Sequence, residues 1–143
     1  VVVTVSNNRM VTALTIGDNC KFNIKEEIVA ESMKLTLLGG AQVEMKLDVR
    51  QNVQIEMIGN GKCELAGKAD ELKLVMEGSS KFNGYNFKTK KAACELAGGS
   101  DAKIQCNDRI DVADLSGNST LYFKGDCEIG FVSLKGGSTL GNR

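Results

Sequence analysis

Apolar and polar positions alternate along this chain in short blocks, and the blocks return in the same order about every 20 residues. Asp18, Gly39, Gly59, Gly78, Gly98, Gly117 and Gly136 serve as anchors for the comparison. Two places before them stand Ile16, Leu37, Met57, Met76, Leu96, Leu115 and Leu134; four places before stand Leu14, Leu35, Ile55, Leu74, Cys94, Ala113 and Val132. The residues in between are mostly polar, so each block predicts a strand with one buried face. Four places after the anchors come Phe22, Val43, Cys63, Phe82, Ala102, Leu121 and Leu140. Six places after come Ile24, Met45, Leu65, Gly84, Ile104, Phe123 and Asn142, again with polar residues between the columns. A second strand therefore follows each anchor, its inner column broken only at Gly84 and Asn142.

Turn residues fill the space between the two strands. The anchors lie 21, 20, 19, 20, 19 and 19 residues apart, and the next positions are Asn19, Gly40, Asn60, Ser79, Gly99, Asn118 and Gly137. Then come Cys20, Ala41, Gly61, Ser80, Ser100, Ser119 and Ser138. Glycine and asparagine accept a left-handed backbone at little cost, and serine can hydrogen-bond within its own turn. Each unit bends there. The eight or so remaining residues of each unit vary more and leave room for a third side, but none of these stretches is long enough for an ordinary helix.

Equal units with equal inward positions predict an all-β fold. We expect a single-stranded, right-handed parallel β-helix (β-solenoid) of about seven rungs, each 19–21 residues long, occupying residues 1–143 as one domain. An antiparallel sandwich is the alternative, but hairpins give no reason for both flanking strands to repeat in phase. Residues 1–13 are less regular. Val1 to Val5 reads as an apolar strand, and residues 1–13 as either an extra rung or a cap on the first one; failing a cap, the strand is expected to join two copies end to end, and the whole can be a portion of a longer head. The last rung, Gly136 to Arg143, is polar and glycine-rich and is expected to offer little apolar area.

Composition sharpens this picture. Proline, which would interrupt a continuous ladder, is absent. The 18 basic and 18 acidic residues cancel, so no net field draws nucleic acid or anionic lipid. Cys20, Cys63, Cys94, Cys106 and Cys127 are odd in number, lack a CxxC spacing and have no histidine beside them, so no zinc site is expected. They read as free thiols acting as small hydrophobes; one disulfide stays open. No stretch of about 18 apolar residues predicts a membrane span. Val1 in place of an initiator methionine is read as a mature or artificial boundary, compatible with an export signal already removed or a lipid anchor upstream.

Candidate chemistry is sparse. Glu95 and Asp114 share an outward column on neighbouring rungs, as do Glu44 and Glu64, and paired carboxylates can share a proton or hold a cation. The rungs differ by only two residues, so no long loop can build a cleft over either pair, and both read as solvated columns. Gly59-Asn60-Gly61-Lys62 lacks the second half of a phosphate loop. The calcium nonapeptide of toxin repeats is missing, and without histidine the acyltransferase chemistry of left-handed solenoids has no base. The segment from Lys81 to Lys91 interleaves aromatics with lysines. With Phe82 and Phe87 turned inward, it leaves Lys81, Tyr85, Lys88, Lys90 and Lys91 as a candidate ligand patch.

The phrases Leu96-Ala97-Gly98-Gly99-Ser100-Asp101-Ala102, Leu115-Ser116-Gly117-Asn118-Ser119 and Leu134-Lys135-Gly136-Gly137-Ser138-Thr139-Leu140 carry a resemblance. They are similar to the repeated Gly-Gly-Ser signature of the putative auto-transporter adhesin head (GIN) domain family of Bacteroides-like bacteria. The resemblance runs from about Leu14 to the C-terminus, departing at Asp18-Asn19-Cys20 and within the last rung. It implies a β-helical module outside the cell, at its surface or in the periplasm, with adhesion as its role and with no catalytic residue or cofactor. The expected function is therefore a non-catalytic surface or secreted module binding a protein or a glycan, with no nucleic-acid partner, as a monomer or an end-to-end dimer. A glycan-active β-helix enzyme of lyase or hydrolase type and a purely structural spacer are the alternatives.

Overall fold

The computed structural model describes residues 3–7, 11–17, 19 and 21–142, and every regular element among them is a β-strand. Strands β1 (Val3–Asn7), β2 (Val11–Ile16), β3 (Lys21–Ala30), β4 (Ser32–Leu38), β5 (Gln42–Val49) and β6 (Asn52–Gly59) come first. They are followed by β7 (Lys62–Gly78), β8 (Lys81–Leu96), β9 (Asp101–Leu115), β10 (Thr120–Lys124), β11 (Glu128–Leu134) and β12 (Thr139–Asn142). Each strand of the stack pairs in parallel with residues about one unit away, for example Leu35 with Ile55 and Leu96 with Leu115. The result is a β-solenoid of about six turns. Seven corners enclose six complete intervals, which accounts for the difference from the seven rungs expected.

The inward columns are those the alternation predicts. Leu35, Leu37, Ile55, Met57, Leu74, Met76, Cys94, Leu96, Ala113 and Leu115 line the strand before the corner and are buried. Val43, Met45, Cys63, Leu65, Phe82, Ala102, Ile104, Leu121 and Phe123 do the same after it. Gly84, which breaks its column, has a physical reason: a Cβ there would lie 2.7 Å from Cε1 of Phe82, whose ring already fills the space. The third side contributes Leu47, Val49, Val53, Leu72, Phe87, Thr89, Ala92, Cys106 and Ile110 to the interior.

The corner sequence is explained by how the rungs touch. All six anchor glycines have positive φ, from 66° to 105°. A Cβ on Gly78 would sit 2.6 Å from the Gly59 carbonyl oxygen, and one on Gly117 2.6 Å from that of Gly98, so side chains are excluded twice over. At the first corner Asn19 takes the positive φ, and Asp18 lies outside the described residues. The carbonyls of Gly59, Gly78, Gly98 and Gly117 each accept two bonds from the next rung, and that of Gly39 accepts one, from Asn60 N, because Gly61 has no hydroxyl. The Gly98 oxygen accepts from Asn118 N at 2.8 Å and from Ser119 Oγ at 3.2 Å; the Gly78 oxygen accepts from Gly99 N at 2.8 Å and from Ser100 Oγ at 3.3 Å. The same serines reach the carbonyl three residues back, Ser100 to Ala97 at 2.9 Å and Ser119 to Ser116 at 2.8 Å. Ser80, Ser100 and Ser119 are fully buried, so these bonds are shielded from water. Ser100→Ala is expected to cost about 1 kcal/mol, seen as a melting temperature a few degrees lower; an unchanged melt would make the serine row incidental.

The ends differ. Strand β1 pairs antiparallel with β2, Val3 opposite Ile16 and Asn7 opposite Thr12, so residues 3–7 run alongside the first pre-corner strand. Val1 and Val2 lie outside the described residues. At the other end, the expectation of little apolar area is corrected. Ile129, Phe131, Val132 and Leu134 of β11 are exposed, because their rung stacks on β9 and no described strand stacks on it in turn. The polar reading of Gly136 to Arg143 left out this preceding side of the same rung.

Candidate functional site

The post-corner strands place two rows of polar side chains on one outer face. Parallel register sets Lys21, Gln42, Lys62, Lys81 and Asp101 in one row, and Asn23, Glu44, Glu64, Asn83 and Lys103 in the next. All ten are exposed, since they occupy the odd positions of strands whose even positions fill the core. Together they line a groove of about 560 Å³ that crosses five rungs, with Phe22, Val43, Cys63 and Phe82 beneath it. One row is mainly cationic and the other mixes carboxylates with amides, so donors and acceptors run side by side along the stack. Asn23 Nδ2 donates to Glu44 Oε2 at 3.5 Å, linking neighbouring rungs within the second row.

The candidate patch Lys81, Tyr85, Lys88, Lys90 and Lys91 does not converge on one spot. Lys81 stands in the groove. Tyr85 lies where the register of β7 and β8 against their neighbours slips, and it is half-buried rather than fully exposed. Lys103 Nζ and Lys124 Nζ approach its ring centroid at 5.8 and 5.1 Å, and its buried hydroxyl has no hydrogen-bond partner among the described residues. Lys88, Lys90 and Lys91 continue around the next side. Lys88 falls opposite Lys68, Lys90 reaches Asp70 at 3.6 Å, and Lys91 falls between Glu71 and Arg109. Sequence reasoning missed Lys103 and Lys124 as companions of Tyr85. The signal was present for Lys124, which like Tyr85 stands seven places after an anchor, but not for Lys103, which stands five places after its own.

The two carboxylate pairs are neighbours as their spacing predicts: Glu95 is opposite Asp114 and Glu44 opposite Glu64. Glu95 and Asp114 border a shallow depression of about 170 Å³ with Val75, Glu77 and Ser116. Among the described residues no group of three or more cysteines, aspartates and glutamates is placed to hold a metal ion, and no helix is long and apolar enough to cross a membrane. Burial drives the thiol of Cys63 far above its ordinary range and that of Cys94 to about 12, so both are packing groups rather than nucleophiles. Cys20 lies outside the described residues.

Comparison with known proteins agrees with this geometry. The crystal structure of a putative lipid binding protein from Parabacteroides distasonis ATCC 8503 superposes with a TM-score of 0.74 at 18% identity, over 92% of this chain. The chain spans 61% of that structure's length, and at this identity the likeness concerns the fold. No curated protein sequence matches. A family model matches residues 1–127, a range that takes in five of the six glycine corners and three of the four serines that bond them. By that match and by the Gly-Gly-Ser corners that hold its rungs together, the chain belongs to the putative auto-transporter adhesin head GIN domain family.

Proposed function

We propose that this domain is a non-catalytic interaction module, exposed at the cell surface, secreted or held in the periplasm, and that the groove on its post-corner face binds an extended glycan. The observation that carries this reading is the pair of exposed polar rows. They repeat at the spacing of parallel strands, so the groove presents a pair of polar side chains every ~4.8 Å over ~19 Å. That step is close to the length of one pyranose unit, and a polymer of hydroxyl groups can bond lysine, amide and carboxylate in turn. Lys21, Lys62, Lys81 and Lys103 against Glu44, Glu64 and Asp101 leave the face almost balanced in charge, which suits a neutral or mixed-charge polysaccharide. The structural neighbour's description suggests a lipid as another occupant. An acyl chain, however, would have to cover these charges and return no hydrogen bond to any of them.

The test is a panel of polysaccharides and phospholipid vesicles presented to the parent protein, to Lys62→Gln with Lys81→Gln, and to Glu95→Gln with Asp114→Asn. The lysine pair should weaken polysaccharide binding at least tenfold, because each charged hydrogen bond is worth about 1.5–3 kcal/mol. The carboxylate pair should leave it unchanged. Binding to vesicles alone, or polysaccharide binding indifferent to Lys62 and Lys81, would refute the groove reading. Release of reducing or unsaturated ends, abolished by the Glu95 and Asp114 changes, would favour the enzyme.

A further inference from the structure

The second row of the groove changes sign along the stack. Register runs it from Asn23 through Glu44, Glu64 and Asn83 to Lys103 and Tyr122, so the carboxylates stand on the early rungs and a lysine on the late ones. At that late end Tyr85 interrupts the ladder. Asn83 Oδ1 accepts a hydrogen bond from Tyr85 N at 3.3 Å, and the register between β8 and β9 jumps from Gly84 opposite Ile104 to Lys88 opposite Gln105, leaving Tyr85 on a bulge. Lys103 of the next strand and Lys124 of β10, the strand beyond it, both reach this ring, their ammonium groups 5.8 and 5.1 Å from its centre. Two like charges are thus drawn to one aromatic face, which attracts them without cancelling either. Among the described residues neither lysine pairs with a carboxylate. The tyrosine hydroxyl is likewise buried without a partner there, so polar groups gather at this end of the groove and lack their complements. Lys103 is exposed, and Tyr85 and Lys124 are half-buried, so a ligand can reach them from solvent.

We propose that Lys103, Lys124 and Tyr85 form a subsite for the carboxylate of an acidic sugar, so that the groove takes its glycan in one direction, with the charged unit at the late rungs. The inference rests on the groove reading above and adds to it a charge specific to one end. A carboxylate set between the two ammonium groups accepts a charge-assisted hydrogen bond from each and offsets their mutual repulsion. Tyr85 holds both lysine heads near one point before the ligand arrives, which lowers the cost of ordering them. Glu44 and Glu64, two rungs or more away, repel the same carboxylate from the early rungs and so fix the direction. A polymer charged at every unit would set carboxylates against both glutamates. The ligand that fits is therefore a mainly uncharged chain carrying an acidic unit at one end.

Matched oligosaccharides serve as the probes: xylo- and cello-oligosaccharides long enough to span the groove, each either uncharged or carrying a single uronic acid at one end, titrated by calorimetry. The parent is expected to bind the acidic member of a pair about tenfold more tightly, and the advantage should shrink as salt is raised. Lys103→Gln with Lys124→Gln should bring the two members to equal affinity. Lys88→Gln with Lys91→Gln, on the next side of the stack, should leave the advantage intact. An advantage that survives the loss of Lys103 and Lys124, or that falls equally with Lys88 and Lys91, would overturn the subsite. Equal affinity of the parent for both members, with binding still dependent on Lys62 and Lys81, would overturn it and leave the groove reading standing. Binding of neither member would overturn the groove reading and this inference with it, and a tighter hold on oligoglutamate than on any acidic sugar would make the ligand an acidic peptide instead.

Discussion

Leu96→Asp is expected to leave the chain unfolded at room temperature, while Thr120→Lys is expected to melt within a few degrees of the parent. Leu96 stacks between Met76 and Leu115 in the pre-corner column and is 2% exposed. A carboxylate there loses the leucine's packing and must either stay charged without a partner or take up a proton, at a combined cost of about 4 kcal/mol or more. That is a large share of the ~5–15 kcal/mol that holds a domain of this size together. Thr120 points outward on β10 and faces Asp101 across the ladder, so a lysine gains a modest opposite-charge neighbour where an aspartate would meet a like charge. Thermal melts followed by circular dichroism decide the matter. Equal melting temperatures would mean that the inward and outward faces have been exchanged.

Gly98 and Gly99, neighbours in one corner, are expected to answer the same substitution in opposite ways. Gly98→Ala places a Cβ against the Gly78 carbonyl oxygen on a backbone with φ of 73°, which disfavours any L side chain. The left-handed conformation alone costs about 1–2 kcal/mol. The overlap must also push apart the rungs that Gly99 N and Ser100 Oγ tie to that oxygen, bringing the expected loss to about 3 kcal/mol. At Gly99 a Cβ meets nothing nearer than Ser79 Oγ at 3.7 Å. Gly99→Ala should therefore be neutral or, by stiffening the unfolded chain, stabilising by up to about 1 kcal/mol. Denaturant titration of both variants reads the difference; equal losses would mean that the corner tolerates a side chain at either position.

These two experiments rest on the part of the fold that was legible in the sequence. Columns two and four places before an anchor and four and six places after it could be read because both strands leave the corner without slipping. Leu37, Met57, Met76, Leu96 and Leu115 keep one phase over five rungs. The third side could not be read in the same way. Register shifts intervene between Glu64 and Ala66, between Gly84 and Lys88 and between Thr89 and Lys91, so Phe87, Thr89 and Cys106 reach the core at unequal distances from their anchors. The groove was half visible. Its outward positions follow directly from the alternation, but a concavity across five rungs depends on how the strands are set side by side. The candidate patch gathered Lys81 with Lys88, Lys90 and Lys91 because they are close in the chain, whereas a solenoid makes neighbours of residues one turn apart.

Every strand of the stack bonds only to the strands of adjoining rungs, and every outward row takes one residue from each. A single inserted residue would turn the whole of a following strand over, exchanging its wet and dry faces. A complete added turn would leave both of its neighbours undisturbed. The domain is thus a ruler with fixed graduations: its groove can lengthen or shorten only in steps of ~4.8 Å, and under the function proposed above the length of polymer it would follow is set by counting turns.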